Sequence, residues 1–260
     1  LVTNNPSLGK TELGLIENAA LLIEHGKITW VGASESAPTA EKTVDAAGKA
    51  VIPGFVDSHN HLIFAKDRAE EFSARMKGES YSAGGIATTV AATRAASDDD
   101  LLSNATRLVH EGLHAGTTTV EIKSGYGLSV KDELRSLHIA KQLTHETTFL
   151  GAHVVPSEYK GKADEYVDLI CEQMITQVKA HAKWIDVFCD KGAFTTDQAR
   201  KILLAGKAAG LLPRLHANQL EQGDGIALGV EVGAASVDHI SHFNNDDIEL
   251  LKKSKTVATF

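Results

Sequence analysis

The sequence predicts an α/β fold: a (β/α)8 TIM barrel whose last strand is missing from these 260 residues, preceded by a small β-rich N-terminal domain. Three observations predict it. From residue 51 onward, short apolar runs alternate with longer amphipathic stretches. Each run is followed by a helical pattern, the arrangement of parallel βα units. Polar, ligand-competent side chains then gather at the C-terminal ends of the runs, where a barrel places its chemistry.

Residues 1–52 read differently from the rest. "ALLIEHGKITWVGASESAP" and "KTVDAAGKAVIPG" are short strand patterns with Gly turns, part of a small β-sandwich-like module. The barrel is expected over 53–260. Its strand candidates are 51–59, 117–123, 147–153, 183–189, 212–216, 234–239 and 256–260. Between them, "DDDLLSNATRLVHEGLHAG" has acids in its first turn and Gly116 after its end. "VKDELRSLHIAKQL", "TTDQARKILLAGKAAG" and "GDGIALGVEVGA" fill the same role, and "NDDIELLKKSK" begins another helix. Seven units in succession favour a barrel over a doubly wound sheet. An eighth strand does not appear. A barrel open at one strand would expose two edges, so the sequence is expected to be part of a longer chain. The absence of an initiator Met points the same way.

The composition is that of a soluble globular protein, 43% apolar and 23% charged. A net charge of −8 argues against nucleic acid or an anionic membrane as partner. No stretch approaches the roughly 18 apolar residues of a membrane helix, and the start lacks a signal-peptide layout. Cys171 and Cys189 lie in no CxxC and are expected as free thiols in a reducing compartment, the cytoplasm.

"GFVDSHNHLIF" closes the first barrel strand with Asp57, His59 and His61 on one face. Such a face either lies in water or binds something. Imidazole is the usual ligand for zinc and similar metals, and this spacing aims two at one point. His216, after "LPRL" at the matching end of another strand, is the natural third ligand. Three protein nitrogens with an open position describe a catalytic metal site. Of 12 histidines, five (59, 61, 153, 216, 239) fall at expected strand ends, and that clustering carries the functional reading. The other ends bring Lys123 and Tyr126, then Cys189, Asp190 and Lys191, then Gln219, then Asp238 and His242. The lysines there either touch anions or are solvated. Ser129 reads as an N-cap with Glu133 close by. Asp57 and Asp238 read as supports for ligands or as caps.

"PGFVDSHNHLIFAKDRAEEFSAR", "GGIATTVAATRAAS", "TTVEIKSGYGL", "TFLGAHVVP", "IDVFCDKGAF" and "LHANQL" together resemble the amidohydrolase superfamily and, within it, the imidazolonepropionase family of histidine degradation. The resemblance spans nearly the whole chain. It implies an amidohydrolase-type barrel that hydrolyses the ring amide of 4-imidazolone-5-propanoate to N-formimidoyl-L-glutamate. It also implies one divalent metal ion, zinc or iron, held by His59, His61 and His216, with an Asp from strand eight that this sequence does not contain. Arg68, Tyr126, His153 and Tyr81 match substrate-binding positions, and His239 matches the catalytic strand-six His. Gln219 stands where related sites often carry Glu; an amide cannot shuttle a proton, so it is expected to hydrogen-bond substrate. "GESYSAGGIATTV" and "QLTHETTFLGAH" are shorter than the family's segments.

The roles expected from this match are a metal-activated water, an oxyanion stabilised by the metal with His239 or His153 as donors, and Arg68 paired with the propionate tail. Arg68 could instead pair with Asp67, Glu70 or Glu71. The strand-eight Asp is the first candidate for protonating the leaving nitrogen, and His239 is second. The resemblance implies a homodimer acting on a small molecule. Other readings are a deaminase, a cyclic amidase using Lys191 as a carbamate, or a non-catalytic barrel.

Overall fold

The computed structural model describes residues 1–67, 69–77 and 84–260. The chain divides into two compact units, Leu1–Phe55 and Val56–Phe260. In the first, strands β1 (Ala19–Glu24) and β2 (Lys27–Ala33) form an antiparallel hairpin. Its two-residue turn places His25 and Gly26 at φ 51° and 74°, the left-handed pair that suits the twist of a tight hairpin. The expected strand in "KTVDAAGKAVIPG" does not form. Residues 37–54 carry no strand, and Val44 is 82% exposed. Apolar residues with neither a partner strand nor a surface to cover gain nothing from extension.

The second unit is built on parallel strands. They are β3 (Phe55–Asp57), β4 (Thr117–Lys123), β5 (Glu146–Ala152), β6 (Trp184–Cys189), β7 (Leu212–Pro213), β8 (Leu215–Ala217), β9 (Ser236–Asp238) and β10 (Val257–Ala258). Spatial order follows chain order, β10-β9-β8-β6-β5-β4-β3, with β7 also on β6. Strands β7 and β8 divide the expected 212–216 strand, interrupted at Arg214. Together with the helices between the strands, this is a curled partial (β/α)8 barrel.

Helix starts follow local chemistry. The Ser97 and Ser129 side chains accept from the amides of Asp100 and Asp132, three residues on. Thr195 with Gln198, and Asn244 with Asp247, close full capping boxes. The helix Gly225–Val232 ends on Gly233 at φ 66°, a left-handed cap. A π-helical turn, Ile170–Met174, interrupts the helical stretch after β5 and turns Ile170 and Met174 into the core.

The main core joins Phe149, Tyr166, Ile170, Met174, Ile185, Phe194 and Leu203 between sheet and helices. Truncating Phe149 there would cost about 3–5 kcal/mol. Close packing sets the helix–sheet distance. A Cβ on Gly206 would lie 2.5 Å from Ile185, and one on Gly229 would lie 2.2 Å from Val237. Among the described residues, no helix is long and apolar enough to cross a membrane.

Candidate metal and catalytic site

Strand register determines which side chains meet. Phe188 on β6 pairs with His216 on β8, and His216 pairs with Asp238 on β9, so these lie level across three strands. His59 and His61 follow β3, and His239 follows β9 at φ 64°. A left-handed non-glycine backbone costs about 1–3 kcal/mol and persists only where its surroundings hold it.

The imidazoles converge. His59 Nε2 lies 3.3 Å from His61 Nε2 and 3.1 Å from His239 Nε2, and His216 Nε2 lies 3.4 Å from His61 Nε2. Ligand atoms of His59, His216 and His239 all fall within 4.8 Å of one another. His153 stacks on His61 at 5.1 Å between centroids, and Tyr126 lies 5.8 Å from His61 and 5.3 Å from His153. All five strand-end histidines therefore share one site.

Two carboxylates orient this cluster from behind. His59 Nδ1 meets Asp238 Oδ2 at 2.7 Å, and His216 Nδ1 meets Asp186 Oδ1 at 3.0 Å. A carboxylate only accepts, so each Nδ1 carries the proton and each Nε2 lone pair faces the cluster. His153 Nδ1 likewise donates to the Gly125 carbonyl at 3.0 Å. His61 Nδ1 is shut off from solvent without a hydrogen-bond partner among the described residues.

Electrostatics fit uncharged rings. Burial, followed by the neighbouring imidazoles, holds His61 well below the ordinary histidine range and His239 at about 4. Burial also lowers His59, against the opposing pull of Asp238. Burial, the largest single influence, pushes Asp238 up, but the hydrogen bond from His59 together with the Lys123 charge and the Thr259 hydroxyl outweighs it and holds the carboxyl at about 2. Several inward lone pairs, neutral rings and carboxylates bound to Nδ1 form a donor set suited to a metal ion.

The remaining expected residues fall as follows. Arg68 and Tyr81 lie outside the described residues. Gln219 is half-buried, and its backbone amide donates to Asp190 Oδ2 at 2.7 Å. Lys191 is exposed and paired with Glu221 at 2.8 Å. Lys123 is neither solvated nor at the surface: it is completely buried between Glu121 and Asp186. Sequence reading passed over both carboxylates because each sits mid-strand among apolar neighbours. The period-2 alternation that puts Glu121 and Lys123 on one face was the available signal. Glu133 also does more than accompany a cap. Its carboxylate accepts from the amides of Gly125, Gly127 and Leu128 at 3.1, 2.9 and 2.7 Å, shaping the loop that carries Tyr126. A cavity of about 480 Å³ borders the cluster, lined by Asp57, His59, Asp238, His239 and Thr259 among others.

Comparisons with known proteins bear on family and fold. A family model described as "Amidohydrolase family" matches residues 42–148. Curated imidazolonepropionases from Mycolicibacterium smegmatis and Streptomyces griseus subsp. griseus are 57% and 56% identical to the chain. The matches cover 100% of the chain and 65% and 67% of those relatives, so the chain spans about two thirds of their length. Among solved structures, the fold is similar to a 5-methylcytosine deaminase from Klebsiella pneumoniae, with TM-score 0.63 and 16% identity. That match covers 92% of this chain and 61% of the deaminase. A guanine deaminase from C. acetobutylicum gives TM-score 0.58 at 14% identity, covering 92% and 61%. Identities this low speak to the fold alone. The identity to the curated relatives decides the closer kinship: the chain belongs to the imidazolonepropionase family of amidohydrolases.

Proposed function

We propose that the full-length protein is a metal-dependent hydrolase that opens the ring amide of 4-imidazolone-5-propanoate to N-formimidoyl-L-glutamate. The observation that carries this reading is the convergence of imidazole Nε2 atoms whose Nδ1 atoms are tied to Asp186 and Asp238. Family membership supplies the substrate.

His59, His61 and His216 would hold one divalent ion, zinc or iron. His61 is preferred to His239 as the third ligand, because its Nε2 lies against both His59 and His216. The bound ion would supply Lewis-acid polarisation of the ring carbonyl and acidify water toward a pKa of about 7. His239 is then free to face the reacting centre. Held neutral near pH 7, it donates a hydrogen bond to the oxygen that gains charge when water adds to the carbonyl. Breaking the ring C–N bond requires a proton at the departing nitrogen; a neutral His239 would first take up the proton released by the adding water and then pass it to that nitrogen. Tyr126 and His153 form an aromatic wall beside His61 that would orient the imidazolone ring. Arg68 would pair with the propionate tail, and Gln219 would hydrogen-bond the ring.

Residues 1–52 would be part of a small β-sandwich-like domain, and 53–260 the barrel lacking its final strand. We place the protein in the cytoplasm as a homodimer, with no nucleic-acid partner. Steady-state hydrolysis of 4-imidazolone-5-propanoate by the full-length protein tests the reading. Arg68→Ala should raise KM about 10-fold or more with little change in kcat, whereas an unchanged KM would leave only the pairing with Asp67, Glu70 or Glu71 that the sequence also allows.

A further inference from the structure

We propose that Lys123 is a positioning residue for the histidine cluster. Through Glu121 and Asp186 it fixes the His59–His61 segment and the His216 ring relative to each other, and so sets the spacing of the inward nitrogens. This deepens the metal reading above and rests on it.

The geometry is that of a hub. Lys123 Nζ donates to Glu121 Oε1 and Asp186 Oδ2, each at 2.8 Å, and none of the three residues is more than 3% exposed. Each carboxylate turns its other oxygen toward the cluster. Asp186 Oδ1 accepts from both the ring Nδ1 and the backbone amide of His216, at 3.0 and 3.2 Å. Glu121 Oε2 accepts at 3.0 Å from the amide of Asn60, the residue between His59 and His61. The Lys123 amide donates to the Asn60 carbonyl at 2.8 Å, so Asn60 is held on both sides. The Thr148 hydroxyl donates to Glu121 Oε1, which fixes that carboxylate's rotation. One ammonium is thus a single carboxylate away from two ligand segments that lie 155 residues apart in the chain.

Stability alone accounts poorly for this arrangement. A buried ion pair pays a desolvation cost that an apolar core of equal volume avoids. What the ammonium adds is direction: by engaging one oxygen of each carboxylate, it leaves the other aimed at a fixed donor. A hub of this kind holds ligands in place before the ion arrives.

The test uses the full-length protein and zinc as the probe. In metal-free wild type, 15N-edited imidazole spectra should give His216 only as the Nδ1–H tautomer. Glu121→Gln/Lys123→Met removes the buried pair without changing net charge. In it, an Nε2–H population of His216 should appear, and zinc affinity, read by chelator competition, should fall about 10- to 100-fold. Lys123→Met alone should act in the same direction. A network that only stabilises the core would lower the melting temperature and leave the tautomer alone. A folded variant with wild-type zinc affinity and His216 wholly Nδ1–H overturns the proposal, as does a wild-type His216 found as Nε2–H. The metal reading fails separately, if His59→Ala/His216→Ala binds zinc as tightly as wild type. The tautomer of the metal-free protein still judges Lys123 in that event.

Discussion

His59 and Asp238 are 179 residues apart in the chain, yet His59 Nδ1 and Asp238 Oδ2 meet at 2.7 Å. The contact ties the end of the first barrel strand to the end of the sixth, and it forces the His59 lone pair inward. Oδ1 of the same carboxylate accepts from Thr259, just past the last strand, so Asp238 bridges three parts of the sheet.

Asp238→Ala should therefore weaken metal binding without removing a ligand. The expected loss is about 10- to 100-fold in zinc affinity, read by competition with a chromophoric chelator. Wild-type affinity in this variant would reduce Asp238 to a structural cap.

The pH dependence of stability has a definite sign. In the metal-free folded protein, burial holds His59 and His61 below their ordinary range and His239 at about 4. The unfolded chain takes up those protons near the ordinary histidine value of 6.5. Between pH 6.5 and 4 the unfolded state binds more protons, so stability rises with pH there and is lost on acidification. Asp238, held at about 2, acts in a lower window. Its contribution is present above the unfolded value of 3.8 and is lost as pH falls through 2. Urea midpoints should fall from pH 7 to pH 4.5. A flat profile over that range would contradict neutral imidazoles in the cluster.

Much of this was legible in the sequence because β-strand alternation and βα succession are local patterns. Strand alternation grouped His59 with His61, although the expected 51–59 strand is only Phe55–Asp57 and both histidines lie just past it; the ends of the later strands delivered His153, His216 and His239. The supporting groups were not legible for a different reason. Asp186 and Glu121 look like isolated acids in apolar strands; Glu121 shares a face with Lys123 by alternation, but only the lateral pairing of β4, β5 and β6 brings Asp186 to it. Residues 37–54 misled in the opposite direction, since strand-like composition does not create a partner strand. Glu133 was noticed for its nearness to the Ser129 cap, while its three amide partners depend on the turn at 125–128. Gly125 there sits at φ 110°, with Leu150 3.1 Å from where a Cβ would be.

That turn gives another prediction. Glu133→Ala strands the buried amides of Gly125, Gly127 and Leu128, each costing about 1–3 kcal/mol if unpaired. A total destabilisation of about 2–5 kcal/mol in urea unfolding is expected, since part of the loss is relieved by relaxation. Glu133→Gln, which keeps one accepting oxygen, should lose less. Equal losses for both would mean that packing, not the carboxylate, shapes the loop.

Arg94 clasps the same turn from outside, donating through Nε to the Gly127 carbonyl at 2.6 Å and through its Nη2 nitrogen to that of Leu128 at 3.2 Å. Arg94→Lys keeps the charge but loses the fork. It should raise KM for the imidazolone several-fold through Tyr126 while the melting temperature shifts by a few degrees at most. A KM equal to wild type would separate the clasp from substrate binding.

The most direct measurement is product analysis by the full-length protein, stripped of metal and reloaded with one equivalent of zinc or iron, acting on 4-imidazolone-5-propanoate. Ring opening should give N-formimidoyl-L-glutamate without free ammonia, only in the reloaded protein, and not in His59→Ala. Release of ammonia, or equal turnover in the stripped protein and in His59→Ala, would contradict a metal-dependent ring hydrolase built on these histidines.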